Sequence, residues 1–74
     1  MIRELDPVVL TEDLPENGLQ QGDVGWVVMV HGNGSGYEVE FTNLNGETIS
    51  VVTVPAARVR PVDPREIAHA RLSA

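Results

Sequence analysis

The 74-residue chain contains no cysteine and very few aromatic residues. The lack of cysteine excludes a disulfide framework, a thiolate zinc site and a thiol nucleophile. The aromatic residues are one tryptophan, one tyrosine and one phenylalanine, so they can supply only part of a core. A chain of this length is near the lower limit for a domain that folds alone. One compact, largely aliphatic core must therefore provide its stability.

Lysine is also absent, and the charge is unbalanced. Five basic residues, all of them arginine, face eleven acidic residues, which gives a net charge of −6. Such a surface repels phosphate backbones, so we expect no nucleic-acid partner and consider a basic protein partner instead. No apolar run approaches the roughly twenty residues that span a bilayer, and the first residues lack the apolar region of a secretory signal. We therefore expect a cytoplasmic protein without a membrane partner.

The residues from Gln21 to His31 carry the strongest structural signal. A Gly22-Asp23 turn opens an apolar, valine-rich run, and a glycine-rich turn over residues 32–36 closes it. Runs of β-branched residues between such turns are typical of strands. Because both faces of this strand are apolar, we predict that it bends, with a bulge or kink at Gly25.

Three further strands are predicted, which makes the strand just described the second along the chain. Strand one covers the short apolar run of residues 8–10. Strand three covers residues 37–42, where apolar and acidic or polar side chains alternate and give the strand one buried face. An Asn45-Gly46 pair, the strongest short hairpin signal, joins it to a fourth strand over residues 48–54.

The remaining part of the domain is a long loop and a brief closing strand. The loop spans residues 11–21, and we expect Leu14 and Leu19 to fold it onto the core. Residues 55–58 suit a single 3₁₀ turn, which leads into a fifth strand over residues 59–62.

The last residues contain the start signal of a helix. Asp63, Pro64 and Glu66 occupy N-cap, N1 and N3 positions. A helix of about nine residues is marginal unless it docks on something. We therefore predict a short helix or a frayed tail over residues 63–74.

Together these elements predict an all-β fold. It is a small SH3-like barrel of five strands, with a 3₁₀ turn before the last strand and a short C-terminal helix or tail. The barrel takes residues 1–62 and the tail takes residues 63–74. An open five-stranded meander is the alternative architecture.

The first third of the chain also resembles a known family. The stretch Asp6-Pro7-Val8-Val9-Leu10-Thr11-Glu12-Asp13-Leu14-Pro15, followed by Gly18-Leu19 and Gly22-Asp23-Val24-Gly25, is similar to the opening of a family of small uncharacterised bacterial proteins, a domain of unknown function common in cyanobacteria. The resemblance extends over about residues 4–62. It implies an SH3-like fold and brings no established activity and no catalytic residue. Members encoded beside toxin-like genes suggest an antitoxin or immunity role.

A looser likeness points to RNA-binding modules. Gly22-Asp23 with Gly25 and the valines that follow is similar to the KOW motif of ribosomal and transcription proteins. Those modules present basic loops to RNA, and this chain has no lysine. The departure argues against RNA binding.

No pattern in the sequence predicts catalysis. His31 and His69 lack the spacing of metal ligands. Ser35 lies between two predicted strands and not in the strand-to-helix turn of a nucleophile elbow. The glycines around it lack the helix N-terminus and the lysine of a phosphate site. We expect no enzyme activity, no cofactor and no metal.

Six residues are predicted to contact a protein partner. Tryptophan is enriched at binding hot spots, so Trp26 is either the centre of an interface or part of the core. Family members usually carry a small residue at its position, which indicates an exposed side chain. The acidic loop residues either steer a basic partner or only solvate the surface. The six residues are Trp26, Tyr37, Glu12, Asp13, Glu16 and Met29.

The leading interpretation is a non-enzymatic, acidic protein-binding module. Two alternatives remain. One is an antitoxin or immunity protein that neutralises a toxin encoded nearby. The other is a structural domain that forms a homodimer through an exposed strand edge.

Overall fold

The computed structural model describes residues 1–73, which form one antiparallel sheet of five strands. The strands are β1 (Pro7–Leu10), β2 (Val24–His31), β3 (Gly36–Thr42), β4 (Thr48–Pro55) and β5 (Val59–Pro61), and they lie in the order β4-β3-β2-β1-β5. A 3₁₀ turn at Ala56–Arg58 directly precedes β5. The predicted all-β fold, the five strands and the late 3₁₀ turn are confirmed. Within the described residues no helix is long and apolar enough to cross a membrane.

One face of the sheet carries the core. On β3, Tyr37, Val39 and Phe41 are buried and alternate with half-buried glutamates, as the period of two predicts. Their neighbours in the core come from every other strand and from the long loop. The buried cluster is Val8, Leu10, Leu19, Val27, Tyr37, Val39, Phe41, Val54 and Val59.

β2 bends through a bulge, but the bulge is not at Gly25. The pairing with β3 shifts between Val27 and Met29, so the extra residue is Val28, and the predicted position was wrong. Gly25 faces the core, where a methyl group would lie 2.5 Å from Val39 Cγ1 and 2.8 Å from Phe41 Cε1. The glycine is therefore needed because these two side chains fill the space above its Cα.

The long loop folds back on itself before it enters β2. Leu14 and Leu19 form an isolated antiparallel bridge, with Leu19 in the core and Leu14 packed against it. Between them lies a 3₁₀ turn over Pro15–Asn17, closed by Gly18 in the left-handed region at a φ of 69°. The prediction that the two leucines anchor the loop is confirmed.

The tail after β5 has a turn at residues 64–65 and no helix through residue 73, so the helical alternative was wrong there, and residue 74 lies outside the described residues. The start signal does form a turn, since the Asp63 N–H donates to Glu66 Oε1 at 2.8 Å. However, the Glu66 carboxylate is also held by both terminal nitrogens of Arg60, at 2.7 Å each. The apolar side chains Ile67 and Leu72 are exposed and offer no buried face to continue a helix.

Candidate protein-binding surface

The face of the sheet opposite the core carries exposed apolar side chains in register with one another. Trp26 of β2 pairs with Glu40 of β3, and Glu40 pairs with Val51 of β4. Residues directly opposite in a ladder lie on the same face. One strand step away, Met29 pairs with Glu38. We call the exposed apolar residues of this face the outer patch; they are Val24, Trp26, Met29 and Val51.

Trp26 is exposed over 47 % of its surface, and so is Met29. This decides between the two interpretations that the sequence left open for the tryptophan, because a core residue would be buried. Val27, between them, is fully buried. The local reason is the alternation of β2, which turns Gly25 and Val27 inward and Trp26 outward.

Two carboxylates cross the outer patch on β3. Glu40 Oε2 accepts a hydrogen bond of 2.7 Å from the hydroxyl of Thr48, and Glu38 Oε1 accepts one of 3.4 Å from Thr53. These bonds tie both acidic side chains toward β4. The surface therefore presents negative charge between the apolar side chains of β2 and Val51.

Tyr37 does not belong to this surface. Only 6 % of it is exposed, because its position on β3 turns the ring into the core. We predicted that Tyr37 contacts a partner together with Trp26. In the folded chain the two aromatic side chains lie on opposite faces of the sheet, so Tyr37 has a packing role.

The three acidic loop residues lie elsewhere, and two of them, Asp13 and Glu16, line a cleft of about 200 Å³ between the long loop and β4. Glu12 Oε2 pairs with Nε of Arg58 at 3.1 Å. Asp13 Oδ1 accepts a hydrogen bond of 2.8 Å from the Gln21 N–H. Glu16 is exposed in the 3₁₀ turn of the loop. None of the three belongs to the outer patch, although Thr53, which lines the cleft, also donates to Glu38.

The histidines occupy separate environments. His31 Nε2 lies 3.8 Å from Glu38 Oε1, which is too long for a hydrogen bond, while His69 lies on the exposed tail. Within residues 1–73 no three histidine, aspartate or glutamate side chains are grouped as metal ligands would be. What His31 adds to the surface is a polar side chain beside Glu38.

Sequence reasoning missed one polar contact between the tail and the domain. The Arg71 guanidinium donates to both carboxylate oxygens of Asp23, at 2.9 and 2.5 Å, and to the carbonyl of Gly18 at 3.0 Å. These bonds from Arg71 lower the pKa of Asp23, with a further contribution from the Gln20 N–H. The partners are 48 residues apart, so no local pattern could have indicated the pair.

These features define a small all-β domain with an apolar outer face crossed by carboxylates. The chain matches the family described as Domain of unknown function (DUF4926) over residues 4–61, and it belongs to that family. The matched residues include all five strands, while the tail with Arg71 lies beyond them. No curated protein and no solved structure matches the chain.

Proposed function

We propose that this protein is a non-enzymatic, SH3-like protein-binding module of the bacterial cytoplasm, and that the outer patch is where it contacts a basic protein partner. The strand order β4-β3-β2-β1-β5, with a 3₁₀ turn ahead of the closing strand, supports the SH3-like description. A sequence without cysteine is consistent with a reducing compartment.

The observation that carries the proposal is the exposure of Trp26. Tryptophan is large, and leaving half of it in water forgoes stabilisation that burial would provide. Here it shares one face with Met29 and Val51, which are also about half exposed. Apolar side chains that are gathered on one face and rimmed by polar groups are typical of interaction sites. Trp26 is accordingly the expected hot spot.

The charge of the surface supports a basic partner. Glu38 and Glu40 lie beside the apolar side chains and carry the sign of the whole molecule, whose net charge is −6. An arginine or lysine of the partner could reach these carboxylates and the face of Trp26 together, which adds a cation–π contribution. The acidic loop contributes to long-range attraction without touching the same site.

Affinity capture from the native host, with matched variants, tests the proposal. The wild-type protein should retain a partner that Trp26→Ser fails to retain, while Ile67→Ser, which removes an equally apolar side chain from the tail, should retain it. Glu38→Gln with Glu40→Gln should weaken retention and reduce its dependence on salt. Capture that is the same for wild type and Trp26→Ser would overturn the assignment of the surface.

The identity of a captured protein would separate two kinds of binding module. A toxin recovered as a tight one-to-one complex would make this chain an antitoxin or immunity protein. A basic protein of another kind would make it an adaptor. In either outcome the Trp26→Ser variant reports whether the outer patch is used.

A further inference from the structure

β4 leaves one side of its backbone without a neighbouring strand. It is the outermost strand and pairs only with β3. The Ala56 N–H donates to the carbonyl of Ser35 at 3.1 Å, and ladder bonds of an antiparallel pair recur at every second residue. Residues 50, 52 and 54 therefore face β3, whereas Val51 and Thr53 turn their N–H and C=O groups toward the open edge.

Within residues 1–73 this edge is protected only at its end, where Pro55 closes β4 and has no N–H to offer. The opposite edge, β5, has only three residues and ends in Pro61, so these common protections cover most of its length. The seven residues of β4 before Pro55 carry no charge and are rich in valine and threonine. No described hydrogen bond outside the sheet ladder uses the backbone of Val51 or Thr53. Such an edge can accept another strand.

The edge lines the cleft of about 200 Å³ beside the long loop. Val52 and Thr53 form one wall, and Asp13, Pro15 and Glu16 are on the other. A strand that paired with β4 would therefore lie beside the loop residues that line the cleft.

Charge identifies the kind of segment. The cleft holds the carboxylates of Asp13 and Glu16, and its one guanidinium, Arg58, is already paired with Glu12. This excess of negative charge complements arginine or lysine side chains. It disfavours another copy of this chain, because each copy carries a net charge of −6.

We propose that the free edge of β4 accepts an extended, basic segment of the partner as a sixth strand, with its cationic side chains against Asp13 and Glu16. The choice of a basic polypeptide rests on the proposed function. The contact is different, since it uses the backbone N–H and C=O groups of Val51 and Thr53, whereas the outer patch acts through its side chains, with Trp26 at their centre.

Titration with a model peptide tests this directly. The probe is a blocked hexapeptide of alternating arginine and valine, and the control replaces each arginine by glutamate. Added to the ¹⁵N-labelled full chain, the arginine peptide should shift the amide signals of residues 13, 14, 16 and 17 and slow the exchange of the Val51 and Thr53 amides. The glutamate peptide should bind about tenfold more weakly or not at all.

Matched variants separate the edge from general charge attraction. Glu16→Lys should weaken binding by about fivefold, while Glu4→Lys, with the same charge change on the segment that contacts β2, should stay within about twofold. Thr53→Pro should abolish binding, because it removes an N–H that points outward without removing a ladder bond. Should Thr53→Pro unfold the chain, the Glu16→Lys and Glu4→Lys pair still decides.

Several results would overturn the inference. One is that millimolar peptide shifts no amide signal, and another is that it shifts only signals around Trp26. A third is that the Val51 and Thr53 amides become protected in concentrated protein without peptide, because two copies would then be pairing at this edge. Trp26→Ser should bind the peptide as the wild type does. If the peptide does not bind while Trp26 still governs partner capture, the inference fails and the proposed function stands. If the peptide binds while Trp26→Ser captures the partner as the wild type does, the outer patch is rejected as the binding surface and the inference stands.

Discussion

Arg71 and Asp23 join the C-terminal tail to the turn before β2, with the guanidinium and the carboxylate bonded side-on through two hydrogen bonds. The tail has no helix and exposes its apolar side chains, so this pair and the one between Arg60 and Glu66 hold it in place. The pair matters mainly for local order, because the core does not depend on it.

Arg71→Ala should release the end of the tail while the sheet stays folded. We expect faster amide exchange in residues 67–73 and at Gly18, whose carbonyl also loses its partner, and an almost unchanged midpoint of urea unfolding. Arg65→Ala is the control, because among residues 1–73 Arg65 pairs only with neighbouring Asp63. A large drop of the urea midpoint for Arg71→Ala alone would show that the tail is integral to the core.

Acid should release the tail before the sheet unfolds. Hydrogen bonds from Arg60 lower the pKa of Glu66 from 4.5 to about 2, and those from Arg71 lower the pKa of Asp23 below 3.8. Because both values are lower in the folded chain, the pairs stabilise the tail above the ordinary pKa and lose this contribution as the pH falls toward about 2. The order of the tail, read from the heteronuclear NOE of its amides, should fall in that range and stay constant from neutral to mildly alkaline pH. A loss of tail order near neutral pH would contradict this assignment.

Gly25→Ala should destabilise the protein by about 1–3 kcal/mol, because the added methyl group meets Val39 and Phe41 in a filled core. Val39→Ala removes the nearest obstructing atom and is itself destabilising. The double variant should therefore lose less than the sum of the two single losses in urea unfolding. Strict additivity would mean that crowding against Val39 is not the cause.

Trp26 is the only tryptophan, so its fluorescence reports the outer patch alone. With 47 % of the residue exposed, the native emission should resemble that of tryptophan in water, and acrylamide should quench it readily. Binding of a partner at this surface should shift the emission to the blue and hinder quenching. Native emission that is already blue-shifted and resistant to acrylamide would contradict an exposed Trp26.

The strands could be predicted because their signals are local. Alternation on β3 and the Asn45-Gly46 pair depend only on neighbouring residues, and the structure confirms both. The bulge was misplaced because glycine permits a kink but also permits close packing, and the sequence does not say which neighbour lies above it. The ion pair between Arg71 and Asp23 could not be predicted for the same reason, since only the fold brings the two residues together.

The surfaces were predicted less completely than the fold. Trp26 and Met29 lie on one exposed face of the sheet. The sequence could not predict which side chains of β2 point outward, because both sides of this strand are apolar. Tyr37 was assigned to the surface by residue type, whereas its phase on β3 places it in the core. The separation of the acidic loop from the outer patch is a matter of topology, which the linear order of residues does not reveal.

The unpaired edge of β4 also affects how readily the purified protein aggregates during storage. An uncharged segment rich in β-branched residues has the composition of strands that stack into fibrils. At neutral pH the net charge of −6 holds separate molecules apart. Acidification to the isoelectric point near 4.6 neutralises that charge by protonating carboxylates and leaves the edge as it is, whereas further acid makes the chain positive and restores the repulsion. Turbidity and thioflavin binding should therefore rise on acidification, and concentrated stocks belong near neutral pH and low ionic strength.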